Sequence, residues 1–387
     1  MKRKIIFSII CFIVLLICWV ICYFLFDNKD NMNISNKWEN NGILSNALRE
    51  SDWNIHVLSS IDDEVVGDSM WCGTFQLVWN DMVNEVVKQD VVFNPQLEIV
   101  KNLNKQTFTN KELSPNSYYS KFWLLTLDLK SEIEKWVKEK FDENSNILDQ
   151  LDWSNVPQRD DYYEWKDEKK YWFYAMLKKI FKFEKIFDQL NNWKFGDKYD
   201  NIKYFWIDDY SSNKLYKQVY VYYYNSDSDF AVALKTKEWE EVILARWIWW
   251  RSFMDIYYNL INNREKYEWN HNFTSFDYLK VPELNIVNVA KFEDLKNKKF
   301  YAKNWDICEI NEAVQSIELR LDKEWWKIKS EAMIELATFG SAGGLKIEGI
   351  EHRYFYFDKP YVMFLKETDK DLPYFAAQIS DITLFQN

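Results

Sequence analysis

Glycine is scarce in this chain, with eight among 387 residues against a usual share of about 7%. Histidine is scarcer still. His56, His271 and His352 are the three present, none in a His-x-x-x-His pair or beside a Cys-x-x-Cys. The spacing that holds zinc is therefore missing, and each reads as a surface histidine or a hydrogen-bonded core one. Of five cysteines, Cys11, Cys18 and Cys22 fall in the first 26 residues, and only Cys72 and Cys308 lie beyond. A cysteine framework is excluded, while a single bridge and two buried thiols stay equally open. The sequence has no Walker-type glycine-lysine loop, no Gly-x-Gly-x-x-Gly and no Gly-x-Ser-x-Gly. Gly340-Ser341-Ala342-Gly343-Gly344 has the glycines of a nucleophile elbow, yet a polar β-type stretch follows where that motif needs a helix. Lysine and arginine total 49 against 60 aspartates and glutamates, a net charge of −11. With no basic run to offset that charge, nucleic acid is excluded as a partner. Asp62, Asp63, Glu64 and Asp68 lack the spacing of a calcium loop and read as a solvated acidic face. Nothing in this inventory points to catalysis or to a cofactor.

What is present begins with a membrane signal. Lys2, Arg3 and Lys4 precede an uncharged, mostly apolar run from Ile5 to Phe26, closed by Asp27 and Lys29. About 20 apolar residues cross a bilayer as a helix, and basic residues before the run keep the N-terminus in the cytoplasm. Phe24, Leu25, Phe26 and Asp27 offer no small-residue cleavage site, so the run reads as an uncleaved anchor and not a signal peptide. The expected organisation is a cytoplasmic stub and transmembrane anchor over 1–26, a polar tether over 27–55, and an extracytoplasmic body over 56–387. Residues 5–26 thus make the membrane itself a partner, and the expected location is the cell membrane, crossed once.

Tryptophan is abundant where glycine is short: 20 residues, several in polar turn settings. Trp193 lies in Asn-Asn-Trp-Lys, Trp239 in Lys-Glu-Trp-Glu-Glu, and Trp325 and Trp326 follow Asp-Lys-Glu. Turns that need positive φ accept glycine readily and tryptophan poorly. The expectation is that many of these are UGA codons that the source lineage reads as glycine. The alternative is a tryptophan-rich surface for carbohydrate. Trp71, Trp79, Trp123 and Trp136 fall on helical apolar faces and read as true tryptophans.

Along the body, Trp71, Phe75, Val78, Trp79, Met82, Val83 and Val86 recur at helical spacing and predict a helix from Ser69, capped by Asp68 or Ser69. Ser114-Pro115 predicts the start of a second helix running through Phe122, Leu125 and Leu129 to Phe141. Tyr171 to Phe187 fits strand or helix. Val219–Tyr224, Phe230–Leu234 and Val242–Ala245 predict strands, as do Leu279–Val289 with an edge at Pro282, Val314–Leu321, Phe355–Lys366 and Tyr374–Phe385.

The last of these runs carry a resemblance. Phe357-Asp358-Lys359-Pro360-Tyr361-Val362-Met363-Phe364-Leu365, a polar turn, and Leu372-Pro373-Tyr374-Phe375-Ala376-Ala377-Gln378-Ile379 resemble the two terminal strands of the serpin family. Leu279-Lys280-Val281-Pro282-Glu283-Leu284 resembles the serpin strand before a short helix, here Phe292 to Lys296. Leu321-Asp322-Lys323-Glu324-Trp325-Trp326 is similar to the family's Asp-Glu-x-Gly-Thr entry to the reactive loop, with Trp325 in place of glycine. The resemblance covers about residues 170–387. It implies an α+β, multi-sheet fold with several helices, following the N-terminal transmembrane helix, and no enzyme activity. It also implies a reactive-loop hinge at Glu324, Trp325, Trp326 and Lys327, a loop over 324–355, and a bait region at Phe339, Gly340 and Ser341.

Serpins trap proteases by inserting the segment after the hinge into a sheet. Alternation would put Lys327, Lys329, Glu331 and Met333 on one face of that strand, and burying three unpaired charges costs several kcal/mol each. The leading expectation is therefore a membrane-tethered, non-inhibitory binding or structural protein at the cell surface. A working inhibitor of an external serine or cysteine protease comes second, and a carbohydrate-binding surface third.

Overall fold

The computed structural model describes residues 55–115, 118–124, 127–141, 168–180, 182–237, 239–246, 251–322 and 352–386. The chain divides into two compact units, one of 1–51 with 130–154 and one of 52–129 with 155–387. In the first, the described residues belong to a helix, α3 (Leu127–Phe141). The second holds every sheet.

That second unit is mixed α and β, built on three sheets. The largest contains β1 (His56–Leu58), β2 (Ser69–Cys72), β7 (Val219–Ser226), β8 (Asp229–Lys235), β9 (Glu240–Arg246), β15 (Tyr361–Glu367) and β16 (Phe375–Ile379), in the order β1-β2-β16-β15-β9-β8-β7. A four-stranded sheet orders β14 (Arg353–Tyr356), β10 (Asp277–Pro282), β6 (Tyr199–Ile207) and β5 (Asp188–Phe195). The third runs β11 (Leu284–Lys291), β13 (Ile307–Leu321), β4 (Glu168–Ile180) and β3 (Tyr118–Leu124), with β12 (Lys298–Tyr301) also paired to β13.

The strands predicted for the C-terminal half form where alternating or continuous apolar residues run. β7, β8 and β9 pair antiparallel in sequence order, and β15 pairs antiparallel with β16. Val362, Phe364, Phe375 and Ile379 are all buried. Three refinements follow. Phe355 and Tyr356 belong to β14, in a different sheet from β15, because Asp358, Lys359 and Pro360 break the run. Likewise β16 stops at Ile379, and Ile382–Phe385 is a short 3₁₀ turn capped by Asp381. The stretch Leu279–Val289 is two strands, since Pro282 ends β10 and β11 starts at Leu284. Of Tyr171–Phe187, Tyr171–Ile180 is strand, the latter part of β4 (Glu168–Ile180), which ends there, and Phe183 makes an isolated bridge with Thr236.

The N-terminal part departs further. The helix predicted from Ser69 begins at Gly73: α1 spans Gly73–Met82 and continues as a π turn to Val87. Ser69 to Cys72 form β2 instead, pairing with β16 through Ser69↔Gln378 to Cys72↔Phe375. Neither predicted cap serves α1. Asp68 accepts from the amides of Ser380 and Asp381, and Ser69 Oγ donates to the carbonyl of Val66. The second predicted helix is corrected in its first part alone, since Leu127–Phe141 is helical as expected. Tyr118–Leu124 is β3, antiparallel to β4, and Ser114 is held by Glu367, which accepts from its amide and hydroxyl.

Among the described residues, α2 (Glu98–Asn104) and α4 (Phe253–Lys266) complete the helices. The N-cap Ser252 of α4 accepts from the amide of Asp255, and the buried face of α4 puts Phe253 and Tyr257 against Phe364 of β15. Helix α1 lies across β3 and β4 and closes a core of Phe75, Val78, Trp79 and Met82 with Tyr171, Phe173 and Ala175. No helix among the described residues is long and apolar enough to cross a membrane; the run Ile5–Phe26 lies outside them.

Candidate functional site: the β4–β13 seam and the hinge

β13 is the longest strand leading to the predicted hinge. Its 15 residues, Ile307–Leu321, extend the predicted Val314–Leu321 by seven at the start. Antiparallel pairing with β11, from Leu284↔Leu321 to Lys291↔Val314, occupies one edge. On the other edge it pairs with β4 in parallel, from Ile307↔Glu168 to Arg320↔Ile180, with one irregularity between Ile310 and Glu312. A chain that leaves β13 at Leu321 and folds back runs antiparallel to it. Both edges of β13 are taken; a strand inserted in the parallel β4–β13 seam would be antiparallel to both neighbours, whereas one inserted beside β11 would be parallel to it.

One face of that seam is apolar and closed. Register places Ala313 beside Phe173, Gln315 beside Ala175 and Ile317 beside Leu177, all buried, with Leu319 and Leu321 continuing the row. The exception is Gln315. Its amide donates to the carbonyl of Cys72 at 3.0 Å and to Thr74 Oγ1 at 2.9 Å, tying β13 to the first turn of α1. Sequence reading passed over it, although a glutamine in the row Ala313, Ile317, Leu319 is a polar break in an apolar face. At the end of β13, Arg320 Nε lies 2.6 Å from Asp322 Oδ2, and the Asp322 side chain is only 7% exposed. This pair holds the chain just before the hinge. Glu324, Trp325, Trp326, Lys327, Phe339, Gly340 and Ser341 lie outside the described residues.

Other candidates resolve into structural roles. Asp63 accepts from the amides of Ser59 and Ser60 and from Asn102, and Asp62 from Thr107. These carboxylates, with Asp68, terminate and brace chain segments, which corrects their reading as a solvated face. Cys72 and Cys308 are free and buried. Burial pushes the Cys72 thiol up to about 11, too high for a thiolate nucleophile. His271 has Nδ1 2.6 Å from the Val221 carbonyl and Nε2 3.1 Å from that of Tyr267. Among the described residues no group of three or more His, Cys, Asp or Glu gathers as a metal site. An open cavity of about 370 Å³, lined by Phe183, Lys185, Asp188, Leu215 and Lys237 among others, gathers no reactive set.

In overall fold the chain is similar to the serine protease inhibitor serpin-12 of Manduca sexta, at 12% identity and a TM-score of 0.40, over 77% of this chain and 75% of that one. It is also similar to Serpin48 of the insect Tenebrio molitor, at 14% identity and a TM-score of 0.36, over 74% and 71% of the two chains. Uncleaved ovalbumin gives 10% identity and a TM-score of 0.36, over 65% and 62%. At these identities and TM-scores the likeness to serpins is loose. Among the described residues the order of elements agrees with the resemblance read from the sequence: a long strand, β13, then β14, and the two antiparallel strands β15 and β16. No protein-family model and no curated protein matches.

Proposed function

We propose that this chain is a serpin-like binding or structural protein without catalysis, tethered to the cell membrane by residues 5–26 with its body outside the cytoplasm, and that it does not trap proteases. One observation carries the second half of this reading. The inner face of the β4–β13 seam offers Phe173, Ala175, Leu177, Ala313, Ile317, Leu319 and Leu321, while the first alternating set after the hinge is Lys327, Lys329 and Glu331. Charges facing that row find no ionised partner on it, and each costs several kcal/mol. The runner-up, a working protease inhibitor, is favoured by the parallel seam itself, since an antiparallel strand fits between β4 and β13.

Limited proteolysis between Glu335 and Leu345 separates the two. The tethered, non-inhibitory reading expects an unchanged melting curve after cleavage and no denaturant-resistant complex with a serine protease. A large upward shift in Tm, or a covalent complex, overturns it in favour of the inhibitor. The membrane half is tested by fractionation and by protease added to whole cells: recovery of full-length chain in the soluble fraction, or protection of the body, sinks it.

A further inference from the structure

Two pairs mark the extremes of the described tryptophans, while Trp193, expected in a turn, lies in β5 with Lys280 Nζ 3.7 Å from its ring centroid, and Trp269 is exposed without a positive φ. Trp71 and Trp79 are wholly buried; Trp71 meets Phe108 edge to face at 5.3 Å, and Trp79 Nε1 donates to Asn104 Oδ1 at 3.2 Å. Trp239 and Trp305 are 80% and 81% exposed, and their φ angles are +61° and +68°. Gly67 at +60° and Gly196 at +58° share that conformation, as do Asn192, Asn201, Asn297, Lys88 and Gln106, so that the two tryptophans are the bulkiest side chains held there.

The two exposed tryptophans also occupy the same place in matching hairpins. The β8–β9 connection closes with Lys235↔Glu241 and a bond from the Thr236 amide to the Glu240 carbonyl at 3.0 Å. The β12–β13 connection closes with Tyr301↔Ile307 and a bond from the Ala302 amide to the Asp306 carbonyl at 3.0 Å. The sequences are Thr-Lys-Glu-Trp-Glu and Ala-Lys-Asn-Trp-Asp. Three-residue hairpin loops of this type end on a left-handed residue that forms a bulge with the next strand, and that position belongs to glycine. The loop backbones are also bonded from outside, by Thr368 N donating to the carbonyl of Trp239 and Lys303 N to that of Val87, and the Trp305 amide donates to the Ala302 carbonyl. A bulky side chain there is strained, and an exposed indole recovers little by packing.

We infer that positions 239 and 305 are glycine in the protein its source cell makes, encoded by a UGA codon that the cell reads as glycine, whereas 71 and 79 are tryptophan. Eight glycines beside 20 tryptophans is the compositional trace of the same event.

The test is peptide mass spectrometry on protein isolated from its own cells. Tryptic peptides 238–246 and 304–320 should carry glycine at 239 and 305, while the peptide spanning Trp71 and Trp79 keeps the tryptophan mass. Tryptophan at 239 and 305 overturns the inference. A second measurement uses the recombinant chain as written here: Trp239→Gly and Trp305→Gly should each raise the urea midpoint, and an unchanged or lowered midpoint counts against it.

Discussion

Gln315 Nε2 donates to Thr74 Oγ1 at 2.9 Å, joining the middle of β13 to the first turn of α1. The same nitrogen donates to the carbonyl of Cys72, which closes β2 just before the helix begins. Replacing Gln315 with leucine keeps the volume and removes both bonds, leaving a buried carbonyl short of a donor. Such orphaned groups cost about 1–3 kcal/mol. Gln315→Leu should therefore lower the free energy of unfolding by that much, read as a lower urea midpoint at an unchanged m-value; a stability equal to the parent's would show that the link between sheet and helix is idle.

The ion pair of Arg320 and Asp322 makes a prediction about the hinge. Arg320 is 40% exposed and Asp322 nearly enclosed, so the pair is worth about 1 kcal/mol or less after solvent screening. Asp322→Asn should change global stability little, but it should release the chain after Leu321. The measurement is the rate of proteolytic cleavage between residues 322 and 345 at a concentration of protease that leaves the body intact. Faster cleavage is expected, and an unchanged rate would mean that the pair does not restrain the hinge.

Much of the C-terminal half was legible because its strands alternate or run apolar between polar turns, and these signals are local. Ser69–Cys72 was misread for a definable reason. All four residues are buried, so no period of two survives, and Trp71 falls in helical phase with Phe75, Val78 and Met82 of α1. Pairing with β16, some 300 residues away, makes it a strand, and no local pattern encodes that partner. β3 was lost similarly, since its pairing with β4 outweighs a helical reading of Phe122. At the candidate site, the expected hinge rests on a motif alone and lies outside the described residues, whereas the seam depends on the parallel pairing of β13 with β4, which no local pattern encodes.

Asp81 lies on α1 with Glu85 one turn further on, and its carboxyl is pushed up to about 6 from the ordinary 3.8, first by burial and then by Glu85. The folded state then binds more protons than the unfolded one between those values, so stability falls as pH rises through that window. The penalty is absent below about pH 4 and complete above about pH 6. Discounted for partial solvent exposure, it amounts to about 1–2 kcal/mol. Asp81→Asn should remove it, raising stability at pH 7 and flattening the profile between pH 4 and 6. A variant that is less stable at pH 7, or one that keeps the parent's slope, would contradict this.

Gly73 and Phe108 define the tightest contact at the start of α1. A Cβ built on Gly73 would lie 2.4 Å from Phe108 Cε1 and 2.6 Å from Cδ1, distances that real side chains do not show. Phe108 is fully buried and packed edge to face on Trp71, so its ring has little room to withdraw. Gly73→Ala should accordingly destabilise by about 1–3 kcal/mol through overpacking, despite alanine's better helix propensity of about 1 kcal/mol. Phe108→Leu alone should also destabilise, because it removes ring contacts and leaves a void. In the double variant the added methyl occupies part of that void, so the combined loss should be smaller than the sum of the two. A double-mutant cycle in urea reads the coupling directly, with non-additivity of 0.5 kcal/mol or more typical of residues in contact. Strict additivity would mean that the clash is relieved by movement of α1 and not by the ring, and would place the flexibility of this region in the helix.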